Sequence, residues 1–299
     1  MDNLISIIIP TFNRKPLLER AIDSVLNQSF DNFEVIVVDN YSTDGTDELI
    51  ARYKDSRISF HRNKNEGIIA SSRNYGINLA KGNFLAFLDS DDWWESTKLD
   101  KCLSALSSGQ IDFVYHNCFI KGGKIDKKTN CRKLNRPFSD DLLYNGNTVV
   151  TSSVVARKSA FEVFLFSESR NKAGWEDYDL WIKLAKQNLN FHLIEECLGT
   201  YWMGNDNFDN PKRIILNLES MESTILNAYR EQSKKVPWWP YYTRGLAYYN
   251  LNSSFLSIKN FMKVLLLKAP FLFKLKAMYQ ILKCLYRVLT NSVQAKFVE

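Results

Sequence analysis

The chain has 299 residues, 45% of them hydrophobic, which suffices for one large domain with a smaller appendage and argues against disorder. Its five cysteines (Cys102, Cys118, Cys131, Cys197, Cys284) are odd in number, far apart and free of any CxxC pair. That pattern argues against a zinc site or disulfide framework and fits a reducing cytosol. The net charge of +6 is uneven: from Lys234 onward there are 11 Lys and Arg with only Glu299 acidic, against 28 basic and 32 acidic residues before it. An anionic partner is therefore expected for the tail rather than for the body.

The opening Met1-Asp2-Asn3-Leu4-Ile5 lacks the basic region of a signal peptide, and the apolar run behind it stops at Pro10, so it reads as a buried strand. Four short apolar runs follow one another as strands: Ser6 to Ile9, Val35 to Val38, Ile58 to Phe60 and Phe84 to Leu88. Between the first two, Leu17, Leu18, Ala21, Ile22, Val25 and Leu26 recur at helical spacing, and Pro16 suits a first helical turn. Asn40 to Gly45 reads as a capped entry to the next helix, and Gly67 and Gly82 bracket a helical segment from Ile68 to Lys81. Such βαβ alternation predicts a largely parallel α/β sheet, with ligands bound in the crevice at the carboxyl ends of its strands.

That edge carries the chemistry. Asp89, Ser90, Asp91 and Asp92 follow the fourth strand directly. Strand alternation would aim Asp89 and Asp91 the same way, and a hard divalent cation relieves their repulsion; the alternative is a solvated acidic turn or a helix cap. Asp39 ends the second strand in the same manner, suited to a nucleobase or ribose hydrogen bond or simply to opening a turn. Further on, Gly122-Gly123 and a polar stretch to Asn147 read as a surface excursion before order resumes at Thr148-Val149-Val150. Gly174 to Trp181 sets three carboxylates beside aromatics at the start of a helix; the helix dipole accounts for Asp179, whereas Trp175 beside a carboxylate fits a sugar site with a general base. His61, His116 and His192 lack metal-type spacing, and no GxSxG, P-loop or GxGxxG is present.

From about Asn217 the pattern is helical and aromatic-rich, with Trp238-Trp239-Pro240-Tyr241-Tyr242 as a kinked junction before two or three basic helices. Lysines interrupt its greasiest stretch, so no segment is expected to span a membrane. Lys259, Lys263, Lys268, Lys274, Lys276, Lys283 and Arg287 among Phe, Leu and Ile suit an anionic membrane surface over residues 255–290; a solvated helical face is the alternative. Nucleic acid is not the expected partner, since the aromatics sit at helix-packing spacing and no recognition module is visible.

Five ordered motifs, Ser6 to Arg14, Glu34 to Asn40, Ser71 to Gly76, Phe87 to Asp92 and Trp175-Glu176-Asp177, resemble glycosyltransferase family 2 over roughly residues 4–205. The resemblance implies a GT-A fold with a Rossmann-like mixed sheet over residues 1–210 and a helical, basic extension over 211–299. It also implies an inverting, metal-assisted transfer from a nucleotide-diphosphate sugar, with a UDP-sugar favoured, to a glycan or lipid-linked oligosaccharide. Such an enzyme would work in the cytoplasm, at the inner face of the plasma membrane, in synthesis of O-antigen-like or capsule-like polysaccharide. By the same resemblance, Asp39 would contact the base, Pro10, Thr11 and Asn13 would line the nucleotide pocket, and Arg73 would sit near ribose or phosphate. Asp89 would hold ribose and the waters of a Mn²⁺ or Mg²⁺ ion, Asp91 would coordinate that ion, and Asp177 would be the general base, with Glu176 and Trp175 shaping the acceptor side. Two positions depart from the family pattern: Asn40 stands where a second aspartate is usual, and Tyr201 to Asn207 replaces a motif that often supplies His or Arg. Asp206 or Asn205 would then be an oxygen ligand. A nucleotidyltransferase and a non-catalytic binding scaffold of the same fold are the competing readings.

Overall fold

The computed structural model describes residues 3–123, 126–187, 189–204 and 210–296, with side chains to residue 290. They divide into two compact units, one of residues 1–139 and 148–205, the other of 140–147 and 206–299.

The first unit is built on a single sheet. Strand β1 (Ile5–Thr11) is buried at every position, which is why it reads as an unbroken apolar run rather than an alternating one. It lies parallel to β2 (Phe33–Asp39) and β4 (Phe84–Phe87), and β2 lies parallel to β3 (Ile58–Arg62). Helix α1 (Lys15–Leu26) covers one face with Leu18, Ala21, Ile22 and Val25, and α2 (Thr46–Arg52) follows β2. Helix α3 (Ile69–Leu79) packs so closely on the sheet that a Cβ on Gly76 would come within 2.6 Å of Ile8 Cγ2.

Beyond β4 the sheet turns mixed. A two-residue β5 (Trp93–Trp94) and α4 (Lys98–Leu106) lead to the long β6 (Phe113–Lys121), with β7 (Lys127–Lys128) along it. Among the described residues the strand order is β3-β2-β1-β4-β8-β6-β9-β5, where β8 is Val155–Arg157 and β9 is Phe191–Trp202. Strand β8 runs antiparallel between β4 and β6, β9 is parallel to β6, and helix α6 (Glu176–Ala185) precedes β9.

The stretch from Gly122 to Asn147 is more than the surface excursion its polarity suggests. Cys131 and Leu134 are buried, and helix α5 (Phe138–Asn145) buries Leu142 and Leu143 behind a charged first turn of Asp140 and Asp141. Residues 140–147 belong to the second unit, where Trp238 Nε1 donates to Asn145 Oδ1 at 3.2 Å and Trp239 Nε1 to the Leu143 carbonyl at 3.0 Å.

The rest of the second unit is helical: α7 (Pro211–Met221), α8 (Asn227–Ser233), α9 (Trp239–Asn250), α10 (Ser254–Leu266) and α11 (Phe271–Lys296). Helix α7 starts earlier than the apolar pattern indicates, because Asn210 caps it by accepting from the Lys212 and Arg213 amides. Trp238, Phe261, Val264 and Ala277 form its core. Gly245 allows α9 and α10 to approach, since a Cβ there would meet the Phe261 ring at 2.8 Å. No described helix is long and apolar enough to cross a membrane.

Candidate active site

Parallel pairing delivers the ends of β1, β2 and β4 to one edge of the sheet. Thr11 lies in register with Asp39, and the Leu88 amide donates to the Ile8 carbonyl at 3.1 Å, carrying the chain straight into Asp89. Pro10 and Thr11 are buried at the end of β1. Asn13, with a left-handed φ of 50°, knots this end to the loop after β2: its amide donates to Ser42 Oγ at 2.8 Å and its Oδ1 accepts from the Thr43 amide at 2.8 Å. Asp39 is buried, and its carboxylate accepts from both the amide and the hydroxyl of Ser42. It therefore opens the turn. The open cavity beside it, about 520 Å³, is lined by Phe12, Asn40, Tyr41, Lys64, Glu66 and Gly67. Phe12 and Tyr41 are about half exposed, and Tyr41 is held at φ 57°, a conformation a bulky residue adopts only where surroundings impose it.

The acidic segment is not a continued strand. β4 ends at Phe87, and the Asp92 amide donates back to the Asp89 carbonyl at 3.0 Å, closing a turn. Alternation therefore does not aim Asp89 and Asp91 the same way; each carboxylate is met by its own arginine. Arg14, one residue past Asn13, is ion-paired with Asp91, whose carbonyl accepts from Arg20 Nη2 at 2.6 Å. Arg20 is stacked over Trp93, 3.7 Å from the ring centroid, and faces Trp202 at 4.9 Å. Burial, reinforced by Asp89, pushes the Asp91 carboxyl up, against the pull of Arg14. Asp92 is fully enclosed; burial and then Asp89 and Asp91 drive its pKa well above the carboxylate range, while its Oδ1 accepts from the Trp202 amide at 2.8 Å.

Arg73 joins the acidic turn to α6. Its Nη2 donates to Asp89 Oδ1 at 2.7 Å and its Nη1 to Glu176 Oε1 at 2.9 Å, from a side chain only 4% exposed. Burial alone would lower its pKa, but Asp89 and Glu176 outweigh burial and move it up. Asp89 and Glu176, on elements far apart in sequence, thus share one cation. Glu176 Oε2 also accepts from the Gly174 amide at 2.7 Å, fixing the entry to α6. Asp177 follows, its Oδ2 accepting from Thr151 Oγ1 at 3.0 Å. Burial first, then the neighbouring Glu176 charge, raises the Asp177 carboxyl to about 6, with Arg73 opposing. Trp175 is buried at the start of α6, and its indole N–H has no hydrogen-bond partner among the described residues.

Several participants escape sequence reading. Tyr201, at the end of β9, has its hydroxyl pKa raised by burial and then by Asp92, Asp89, Asp91 and Asp177. It is therefore a neutral hydroxyl that feels the charge of four carboxyl groups. Arg14, Arg20, Thr151 and Ser152, whose Oγ accepts from the Asp89 amide at 3.0 Å, join the same frame. The oxygen ligands expected just beyond β9 fare differently: Asn205 and Asp206 lie outside the described residues.

Among the described residues no three His, Cys, Asp or Glu side chains are arranged to hold a metal ion. Asp89 and Asp91 nevertheless suit Mg²⁺ or Mn²⁺ as a two-carboxylate site of hard oxygens, the kind that leaves the remaining positions to phosphate and water. Burial is the main reason the Asp91 and Asp92 carboxyls are raised, and the smaller share contributed by the neighbouring carboxyl charges is what a cation would offset.

An α/β sheet with its acidic turn at the strand ends and helices behind is a GT-A-type fold. The profile of Glycosyl transferase family 2 matches residues 6–165, and the chain belongs to that family. It is 38% identical over 229 residues to the Escherichia coli UDP-Glc:alpha-D-GlcNAc-diphosphoundecaprenol beta-1,3-glucosyltransferase WfaP, covering 76% of this chain and 88% of that protein. An uncharacterized glycosyltransferase of Rickettsia bellii is 33% identical over 230 residues, covering 76% of this chain; there the chain spans only 33% of the relative's length. The mannosyltransferase PcManGT of Pyrobaculum calidifontis, solved with GDP-Man and Mn²⁺, superposes with a TM-score of 0.57 at 17% identity, over 96% of this chain and 83% of that one. At that identity the likeness speaks for the fold alone.

Proposed function

We propose that this chain transfers a sugar from a nucleoside-diphosphate donor, preferably a UDP-sugar, to a hydroxyl of a lipid-linked glycan, with inversion, in cell-surface polysaccharide synthesis. The observation that carries the reading is Asp177. A carboxyl poised at about 6 beside the Arg73–Asp89 pair is matched to accepting a proton near neutral pH. The names of relatives such as WfaP support a UDP-sugar and a diphosphoundecaprenol-linked acceptor.

In the proposed reaction the acceptor oxygen forms a bond to the anomeric carbon, its proton passes to Asp177, and the bond from that carbon to the diphosphate breaks in line, releasing nucleoside diphosphate. The base would sit by Phe12 and Tyr41, with Asp39 shaping the loop beneath it. Asp89 and Asp91 would hold a divalent ion, whose chemistry when bound would be Lewis-acid stabilisation of the charge on the leaving group. Arg14, at the edge of the acidic turn beside Asp91, would meet the diphosphate. Tyr201 would donate a hydrogen bond among the carboxylates, and Arg73 would keep Asp89 and Glu176 in place.

Asp177→Asn tests the assignment. Transfer should fall about 10²–10⁴-fold while donor binding in the presence of Mn²⁺, followed by thermal shift, persists. Because the neutral form is favoured up to about pH 6, wild-type transfer should rise as pH increases through that value, and the variant should lose this limb. Undiminished transfer by Asp177→Asn would sink the base assignment, and release of pyrophosphate in place of nucleoside diphosphate would point to nucleotidyl transfer.

A further inference from the structure

Helix α11 carries apolar side chains on two opposite faces. One face is packed within the second unit: Ala277 and Cys284 are fully buried, Phe273 and Ile281 lie against the same core, and Cys284 Sγ donates to Ser257 Oγ at 3.3 Å. At 3.6 residues per turn, Leu275, Met278, Tyr279, Leu282, Tyr286 and Leu289 fall on the opposite side in one arc of about 100° and about 21 Å long. They are 46 to 71% exposed. Scattered exposed apolar residues are ordinary, but a continuous arc along four turns marks a surface that is covered in use.

The charges bordering this arc say by what. Lys276 and Lys283 lie along one margin and Lys274 along the other. On α10, Phe255, Met262 and Leu266 are exposed beside Lys259 and Lys263, with Lys268 in the connection to α11. No Asp or Glu stands between Glu231 and Glu299. Apolar side chains bordered by cations and by no carboxylate complement an anionic bilayer, since long lysine stems can carry their charge to the headgroups. No described helix is long and apolar enough to cross one, so the fit is to its surface.

We propose that α11, with the exposed edge of α10, lies in the interface of an anionic phospholipid membrane, its apolar arc among the acyl chains and Lys274, Lys276 and Lys283 at the headgroups. The proposal stands on the second unit alone and does not depend on the transfer reading. Flotation of the full chain with vesicles of phosphatidylcholine, or of phosphatidylcholine with about 30% phosphatidylglycerol, tests it. The chain should float with the anionic vesicles, and binding should drop about tenfold on neutral vesicles or at raised salt. Leu275→Glu with Leu282→Glu should weaken binding about tenfold or more, and Lys276→Glu with Lys283→Glu should bring it to the neutral-vesicle level. The leucine pair alters exposed side chains, so its thermal transition should be unchanged. Lys283 is half-buried, 4.8 Å from the Tyr249 ring centroid, so Lys276→Glu alone, at an exposed position, serves as the control that folding is intact, and donor binding should persist in all of them. The proposal is overturned if the chain does not float, or if the variants float as well as the parent. It is equally overturned if the chain is a dimer that the Leu275→Glu, Leu282→Glu pair dissociates without vesicle binding, which would make a second copy the cover for this face.

Discussion

In the sheet unit the charged groups are inside and matched to one another: Arg73 with Asp89 and Glu176, Arg14 with Asp91, Asp179 with Lys172 and Lys183. In the helical unit the relation is reversed, with lysines outside among exposed leucines and no carboxylate near them in sequence. Each arrangement is expensive for an isolated domain. Buried carboxyls lose hydration, and exposed apolar arcs order water. On the two proposals made above, they would meet two different external partners, a cation with its diphosphate at the carboxyls and an anionic membrane at the apolar arc bordered by positive charge.

Disturbing the buried side of this contrast should have the largest effect. Arg73→Met leaves Asp89 and the buried Glu176 without their shared cation, and should destabilise the sheet unit by about 3–5 kcal/mol in urea unfolding. A loss well under that would mean the two carboxyls can protonate or find water instead.

Lys98 offers an intermediate test, because it breaks the rule that the sheet unit pairs its buried charges. It is fully buried, its Nζ lies 3.3 Å from the Trp94 ring centroid, and it has no hydrogen-bond partner among the described residues. Burial lowers its pKa to about 7. The unfolded chain therefore holds this proton more tightly than the folded one, and stability should rise with pH from about 7 toward the ordinary lysine value. Lys98→Met should stabilise the protein by about 2–4 kcal/mol at pH 7, a gain that shrinks by pH 9. A destabilised variant would show that the Trp94 contact outweighs desolvation.

The smallest effect is expected on the exposed arc. Leu282→Glu alone should change unfolding stability by no more than about 0.5 kcal/mol, since the side chain is 64% exposed. A larger loss would mean that Leu282 is part of the packing of α11.

Parts of this organisation were legible in the sequence because burial on both faces leaves a plain trace. β1, β2 and β4 read as short unbroken apolar runs, the half-buried β3 was legible from Ile58 and Phe60, and the αβ alternation between them led to the correct fold class. The strand β9 left no such trace: much of it is exposed or half-buried, and Glu195 and Glu196 interrupt it. Helix α5 was hidden behind Asp140 and Asp141, though Leu142 and Leu143 are buried. At the site, sequence order located the acidic cluster but not its geometry. A turn and a run-on strand differ by one backbone bond from Asp92 to Asp89, and no local pattern records that Arg73 reaches Glu176. Tyr201 was visible only as part of an unusual segment, since its importance lies in which carboxyls surround it.

Arg73 also sets a length. By gripping the turn after β4 with one nitrogen and the start of α6 with another, it acts as a spacer whose span is set by covalent geometry and not by the loops on either side. Those loops, including the one that brings Phe166 and Glu168 to Asn74 on α3, could change in length or sequence while the interval between the acidic turn and the start of α6 stays constant. If the proposed transfer holds, a fixed internal gauge of this kind would let substrate range drift without retuning the chemistry.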